Sequence, residues 1–337
     1  MKKIKTMQLQ TEIEIKPFAK KLSHTGKILM LGSCFANSIG NRLRDAKFDV
    51  CINPFGVIYN PLSIANCIEL LIANKEITEN NLLQHNGLYY NFCYHTSFSA
   101  TEKQSALAKM NLANRQGSEF LNNAENIIIT FGSANAYKYK KTGKIVANCH
   151  KIPACEFEKT VLDIDIIVNI INEAIQNVRT INNEVNFIFT VSPVRYLSDG
   201  AHENQLSKSR LLIAVDEICK NSRRCEYFPA YEIMMDELRD YRFYTDDMLH
   251  PSNLAVDYIW QKFSNAAISN ESLKIIEEIK KIYAAKSHKA FNPDSDEHIK
   301  FLKTYFEKTE QIQAKYPFLD LTEELKYFGA YRKHNAD

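Results

Sequence analysis

Along this chain, short apolar runs alternate with longer stretches of helical periodicity. Lys27–Gly32 (KILMLG), 126–133 (NIIITFGS) and 185–193 (VNFIFTVSP) are apolar at successive positions, and each stops at glycine, serine or proline. Runs without a polar face predict strands buried on both sides. Between them, 35–46, 61–74, 103–124, 161–180, 204–220 and 251–268 repeat apolar residues at helical spacing. Pro61 and Pro251 stand at helix starts, where proline is tolerated. The segment 48–52 (FDVCI) predicts a short strand entering the loop 53–61. Residues 136–150 predict a hairpin around Thr142-Gly143, and 225–238 at most one short strand.

Alternating buried strands and helices predict a three-layer α/β/α fold around a parallel sheet. After about residue 270 the pattern changes. NESLKIIEEIKKIYAAK and DEHIKFLKTYFEKTEQIQAKY are charged amphipathic helices with no strand between them. This divides the chain into an α/β domain over 1–268 and a C-terminal helical extension over 269–337. We expect the extension to pack on the main domain, with a partner-binding helical hairpin as the alternative.

Composition narrows the function classes. A net charge of +2 over 337 residues gives no electrostatic case for nucleic acid or a membrane surface. The basic N-terminus lacks the apolar core of a secretory signal, and no run is long enough to cross a bilayer. Eight cysteines, none in a C-x-x-C pair, read as free thiols in a cytoplasmic protein rather than as disulfides or a zinc site. No metal or cofactor is expected, and the oligomeric state is left open.

Ligands of open parallel sheets bind at the carboxyl ends of the strands. Several polar clusters fall there: Gly32-Ser33-Cys34, Asn53-Pro54-Phe55-Gly56, Gly132-Ser133-Ala134-Asn135 and Ser192-Pro193-Val194-Arg195. A fifth, Asp247-Met248-Leu249-His250, precedes the last helix of the domain. Cys34 opens a helix, where free N–H groups and the helix dipole favour a thiolate. It is either a nucleophile or a small apolar plug. An Asp three residues before a His can orient the imidazole toward a nucleophile. Two segments have that spacing, Asp247/His250 and Asp199/His202; the first is preferred because Pro251 pins its turn. Gly56 and Asn135 suit oxyanion donation. Arg195 and His202 suit an anionic or sugar-like ligand.

The segments LGSCFA, NPFGVIYNPLSIA, VANCHKIP, SPVRYLSDGAHENQLSKS and DDMLHPSNLAVDYIW together resemble the GSCFA-domain family, over about residues 25–265. FNPDSDEHIKFL resembles the family's C-terminal tail. That family is similar to the SGNH hydrolases, three-layer esterases and acyltransferases. The resemblance implies a Gly-Asp-Ser block at Gly32, Ser33 and Cys34, with Cys34 on the family's nucleophilic serine. It implies a second-block glycine at Gly56 and an Asp-x-x-His block at Asp247 and His250. The third-block asparagine falls at Asn135, three residues after Gly132 where the pattern has two. Ser33 is the alternative nucleophile if the turn shifts by one residue. The expected function is ester hydrolysis or acyl transfer on a small-molecule or glycan acyl substrate; the alternative is a binding or assembly module on the same fold.

Overall fold

The computed structural model describes residues 11–330. The first ten residues of the basic N-terminus and the last seven of the C-terminal extension lie outside it. Five strands form one parallel sheet: β1 (Lys27–Gly32), β2 (Val50–Ile52), β5 (Ala124–Phe131), β9 (Asn186–Val191) and β10 (Cys225–Tyr227), in the order β10-β9-β5-β1-β2. A hairpin of β3 (Leu83–His85) and β4 (Leu88–Tyr90) lies apart from it. A three-stranded antiparallel sheet joins β6 (Asn135–Tyr139), β7 (Lys144–Val146) and β8 (Phe157–Val161). β6 and β7 are the hairpin predicted around Thr142-Gly143. The sequence pattern did not single out β8, in which every residue after Phe157 is exposed.

Alternation within the buried strands sorts the core into two faces. Leu29, Leu31, Ile127, Ile129, Phe187 and Phe189 pack under α2 (Pro61–Ala73), α3 (Lys103–Asn123), α4 (Ile164–Ile181) and α5 (Ala201–Asn221). The intervening Ile28, Met30, Ile128 and Ile188 meet α1 (Cys34–Asp45) and α7 (Asn253–Ala267) on the other side. The result is the three-layer α/β/α arrangement, because side chains alternate across a sheet while both faces must be buried. A single turn, α6 (Ala230–Glu232), leads into a π-helical turn over Ile233–Glu237.

The C-terminal helices are α8 (Asn270–Lys286), α9 (Asp296–Lys315) and α10 (Thr322–Phe328). Ile276 of α8 joins the main core, while Ile275 and Ile279 pack with Leu319 and Leu321. The buried carboxylate of Glu324 on α10 meets Lys47 at 2.9 Å and Lys286 at 3.3 Å, tying the extension to the turn after α1. Among the described residues, no helix is long and apolar enough to cross a membrane.

The strand order reverses direction at β1. β2 lies on one side of it and β5 on the other, so the loops leaving β1 and β5 diverge above the sheet. This topological switch point is where open α/β sheets hold ligands.

Candidate active site

Gly32 ends β1 with φ +135°, and a Cβ there would fall 2.1 Å from the Thr130 carbonyl oxygen on β5. Only glycine lets the two strand ends lie this close. Ser33 then caps α1: its hydroxyl accepts from the Phe35 N–H at 3.3 Å, and the residue is almost fully buried. Loss of such a cap costs about 1 kcal/mol. Cys34 is the first residue of the helix, so its N–H has no acceptor within the helix. The turn therefore uses the serine for capping and presents the half-buried thiol beyond it.

That thiol opens into a cavity of about 660 Å³. Of the residues singled out in the sequence, Cys34, Ser33, Asn135, Arg195 and His250 line it. Gly56 and His202 are not among its lining residues. Tyr59 does line it, and its hydroxyl stands 3.7 Å from the Cys34 sulfur. The Tyr59 carbonyl accepts from the N–H groups of both Gly132 and Ser133, at 2.8 and 3.0 Å. A Cβ on Gly132 would come within 3.0 Å of the Tyr59 ring, so this glycine makes room for it. Burial, and then the neighbouring thiol, pushes the Tyr59 phenol above its ordinary range and keeps it a neutral donor. Sequence reasoning missed Tyr59. Its one signal was an aromatic residue in a loop at a strand's carboxyl end.

His250 is built from its own loop. Asp247 Oδ1 accepts the N–H groups of Leu249 at 2.8 Å and His250 at 3.0 Å, and the Thr245 hydroxyl at 2.7 Å. Asp247 Oδ2 meets His250 Nδ1 at 2.6 Å. The His250 N–H first, then the Leu249 N–H and the His250 ring, hold the Asp247 carboxyl well below the usual carboxylate range. Met248 takes φ +58° to close the turn, and Ser252 caps α7 immediately after. With Nδ1 committed to Asp247, Nε2 is the ring nitrogen left to exchange a proton.

The other spacing match behaves differently. Asp199 pairs with Lys159 at 2.5 Å and accepts from Asn135 Nδ2 at 3.2 Å, while His202 lies exposed in the first turn of α5. His150, from the VANCHKIP stretch, is buried; desolvation pushes it down to about 4, and its Nε2 bonds the Asn91 carbonyl at 3.1 Å. The Gly56 N–H is committed to the Asn53 carbonyl at 2.7 Å. With φ +77° and a would-be Cβ 2.3 Å from His95, Gly56 is a turn glycine, and the expectation of an oxyanion donor there is not met. Asn135 keeps one amide N–H beyond its bond to Asp199.

Beneath the cavity lies Lys208 of α5, fully buried, donating to the carbonyls of Gly132 and Ser192 at 2.7 Å each. Desolvation pushes its ammonium down to about 7. Ser207 beside it accepts the Ala134 N–H at 2.8 Å. These two residues hold the ends of β5 and β9. Six cysteines, Cys51, Cys67, Cys93, Cys149, Cys219 and Cys225, have thiols pushed up by burial. No three His, Cys, Asp or Glu side chains converge as a metal site among the described residues.

The sequence profile of the GSCFA family matches residues 27–263, and that of the GSCFA domain protein C-terminal domain matches residues 279–331. Comparison with curated protein sequences gives no match. Among solved structures, a carbohydrate esterase family 3 from Talaromyces cellulolyticus is similar at 11% identity, with a TM-score of 0.31, over 76% of this chain and 99% of that one. An acetyl esterase mutant with acetate ion is similar at 11% identity and a TM-score of 0.32, with the same coverage.

Proposed function

Since the chain belongs to the GSCFA family, we propose that it is an SGNH-like acyl-transferring enzyme, an esterase or acyltransferase working through a Cys34 thioester. One observation carries this reading: Cys34 and the Asp247-held His250 line a single cavity at the switch point of a parallel sheet.

In this mechanism His250 Nε2 takes the proton of the Cys34 thiol, and the sulfur attacks the acyl carbonyl carbon. The carbonyl electron pair moves onto oxygen. The Cys34 N–H, the Tyr59 hydroxyl and the remaining Asn135 N–H are the donors available to it; losing one such donor costs about 10²–10³ in rate. When the tetrahedral adduct collapses, the bond to the leaving alcohol breaks and His250 returns the proton to it. Water or an acceptor hydroxyl then attacks the thioester, again deprotonated by His250, and the thiol is restored. Asp247 stays ionised throughout and fixes the ring. Capping by the Ser33 hydroxyl supports Cys34 over Ser33 as the attacking group. An acylated sugar or glycan is the substrate class we favour.

The second reading is a binding module on the same fold. It is favoured by the commitment of the Gly56, Gly132 and Ser133 N–H groups to protein carbonyls, which leaves few backbone donors for an oxyanion. Incubation with short activated esters and thioesters, followed by mass-spectrometric mapping, decides between them. An acyl adduct on Cys34 that is absent in Cys34→Ala is expected. No adduct and no acyl release across the series would establish the binding module.

A further inference from the structure

The charge around the cavity is one-sided. No carboxylate is among the residues that line it, whereas Lys159, Arg195 and His250 are. Lys159 is neutralised by Asp199, which is not itself a lining residue. Arg195 is half-buried and has no carboxylate partner among the described residues. A guanidinium in a partly desolvated cleft, with no carboxylate partner among the described residues, suits an oxyanion: its fork of donors matches a carboxylate or phosphate.

Position says which part of the substrate would carry that anion. The Arg195 N–H bonds the Leu249 carbonyl at 3.1 Å, so the residue is fastened next to His250. Its charge also reaches Tyr244 and Tyr231, opposing the upward push of burial on both phenols, and Tyr244 bridges to Pro251, the residue after His250. Arg195 thus stands on the side of the base, where the leaving group takes its proton. One stretch of the wall is apolar, with Ala147, Ile152, Ala154 and Phe157 from the β7–β8 region interleaved with the polar Asn148, and suits a short acyl chain.

We infer that the substrate's leaving group bears an anionic oxygen group, a carboxylate or a phosphate, held by Arg195. This rests on the acyl-transfer reading, and the test separates the two. Turnover of 4-acetoxybenzoate is compared with that of its neutral methyl ester in the wild type, Arg195→Gln and Arg195→Lys. The preference for the anionic ester is expected to fall about tenfold or more in Arg195→Gln, mainly through KM, with Arg195→Lys between. In parallel, calorimetry follows benzoate and phenyl phosphate binding to Cys34→Ala with and without Arg195→Gln. Affinity is expected to fall with the guanidinium, and whichever anion binds tighter identifies the group. An unchanged preference, or anion binding that is absent or indifferent to Arg195, overturns the inference while leaving the enzyme intact. Anion binding that depends on Arg195 in a protein that turns over neither ester and forms no Cys34 adduct across the activated-ester series upholds an anion subsite but overturns acyl transfer, and with it the assignment to a leaving group.

Discussion

The chain contains two Asp-x-x-His tetrapeptides, and the fold treats them in opposite ways. In 247–250 the Asp carboxylate gathers two backbone N–H groups, a hydroxyl and the imidazole, all within its own turn. In 199–202 the Asp turns to Lys159 and Asn135, and the His faces solvent. The difference comes from where the helix begins. Gly200 is the N-cap of α5, so His202 lies inside the first helical turn and is exposed, while Asp199 is engaged by Lys159 and Asn135 instead. His250 precedes Pro251 and the Ser252 cap of α7, so it remains in the turn. Spacing alone is a weak motif; spacing plus the position of the next helix cap is a stronger one. α5 still serves the site, from beneath through Ser207 and Lys208 rather than through His202.

The widest separation between the two tetrapeptides is expected in catalysis. His250→Ala should slow acyl release by about 10²–10⁴, while His202→Ala should leave it within about twofold. Steady-state hydrolysis of one activated ester measures both, and equal losses would erase the distinction. Next come the acids. Asp247→Asn keeps the shape of the turn but loses the charge that fixes the ring, so a loss of about 10² or more is expected. Asp199→Asn breaks a partly exposed ion pair worth about 0–1 kcal/mol, so its effect should stay below about fivefold. Rates that fall together would mean that Asp199 acts on the chemistry through Asn135.

Lys208 sharpens the structural side of the comparison. Its folded value of about 7 lies below its ordinary 10.5, so across that window the unfolded chain binds a proton the native state has released. Stability from this group therefore rises with pH between those limits. The neutral amine still has two N–H donors for its two carbonyls, so the bonds survive. Urea melts of the wild type and Lys208→Met at pH 6.5, 8 and 9.5 should show the difference moving in the wild type's favour as pH rises. A constant difference would contradict an uncompensated buried ammonium. The smallest effect concerns labelling: near neutral pH, Cys34 should alkylate several-fold faster than the six thiols raised by burial, and His250→Ala should slow it. Cysteine mapping led by Cys149 or Cys51 would return Cys34 to a packing role.

Much of this was legible in order along the chain. β1, β5 and β9 announced themselves as apolar runs, and the Gly32-Ser33-Cys34 end of β1 as a turn with chemistry. Edge elements did not. β8 buries only its first residue, so it carries no apolar run to read. The β3–β4 hairpin contains three-residue strands, too short for periodicity to register.

What the sequence determined by itself was local: strand against helix, the glycine at the end of β1, and an Asp and a His close enough to share a turn. These follow from sterics and periodicity between near neighbours, which any isolated segment would feel. The tertiary structure alone decided which Asp-x-x-His faces the thiol's cavity, that the Gly56 N–H closes a turn, and that Tyr59 reaches Cys34. It also decided that Lys208 supports two strand ends without a counter-charge among the described residues. Those outcomes depend on which loops meet above the reversal of strand order beside β1, and that meeting is set by burying both faces of the sheet at once.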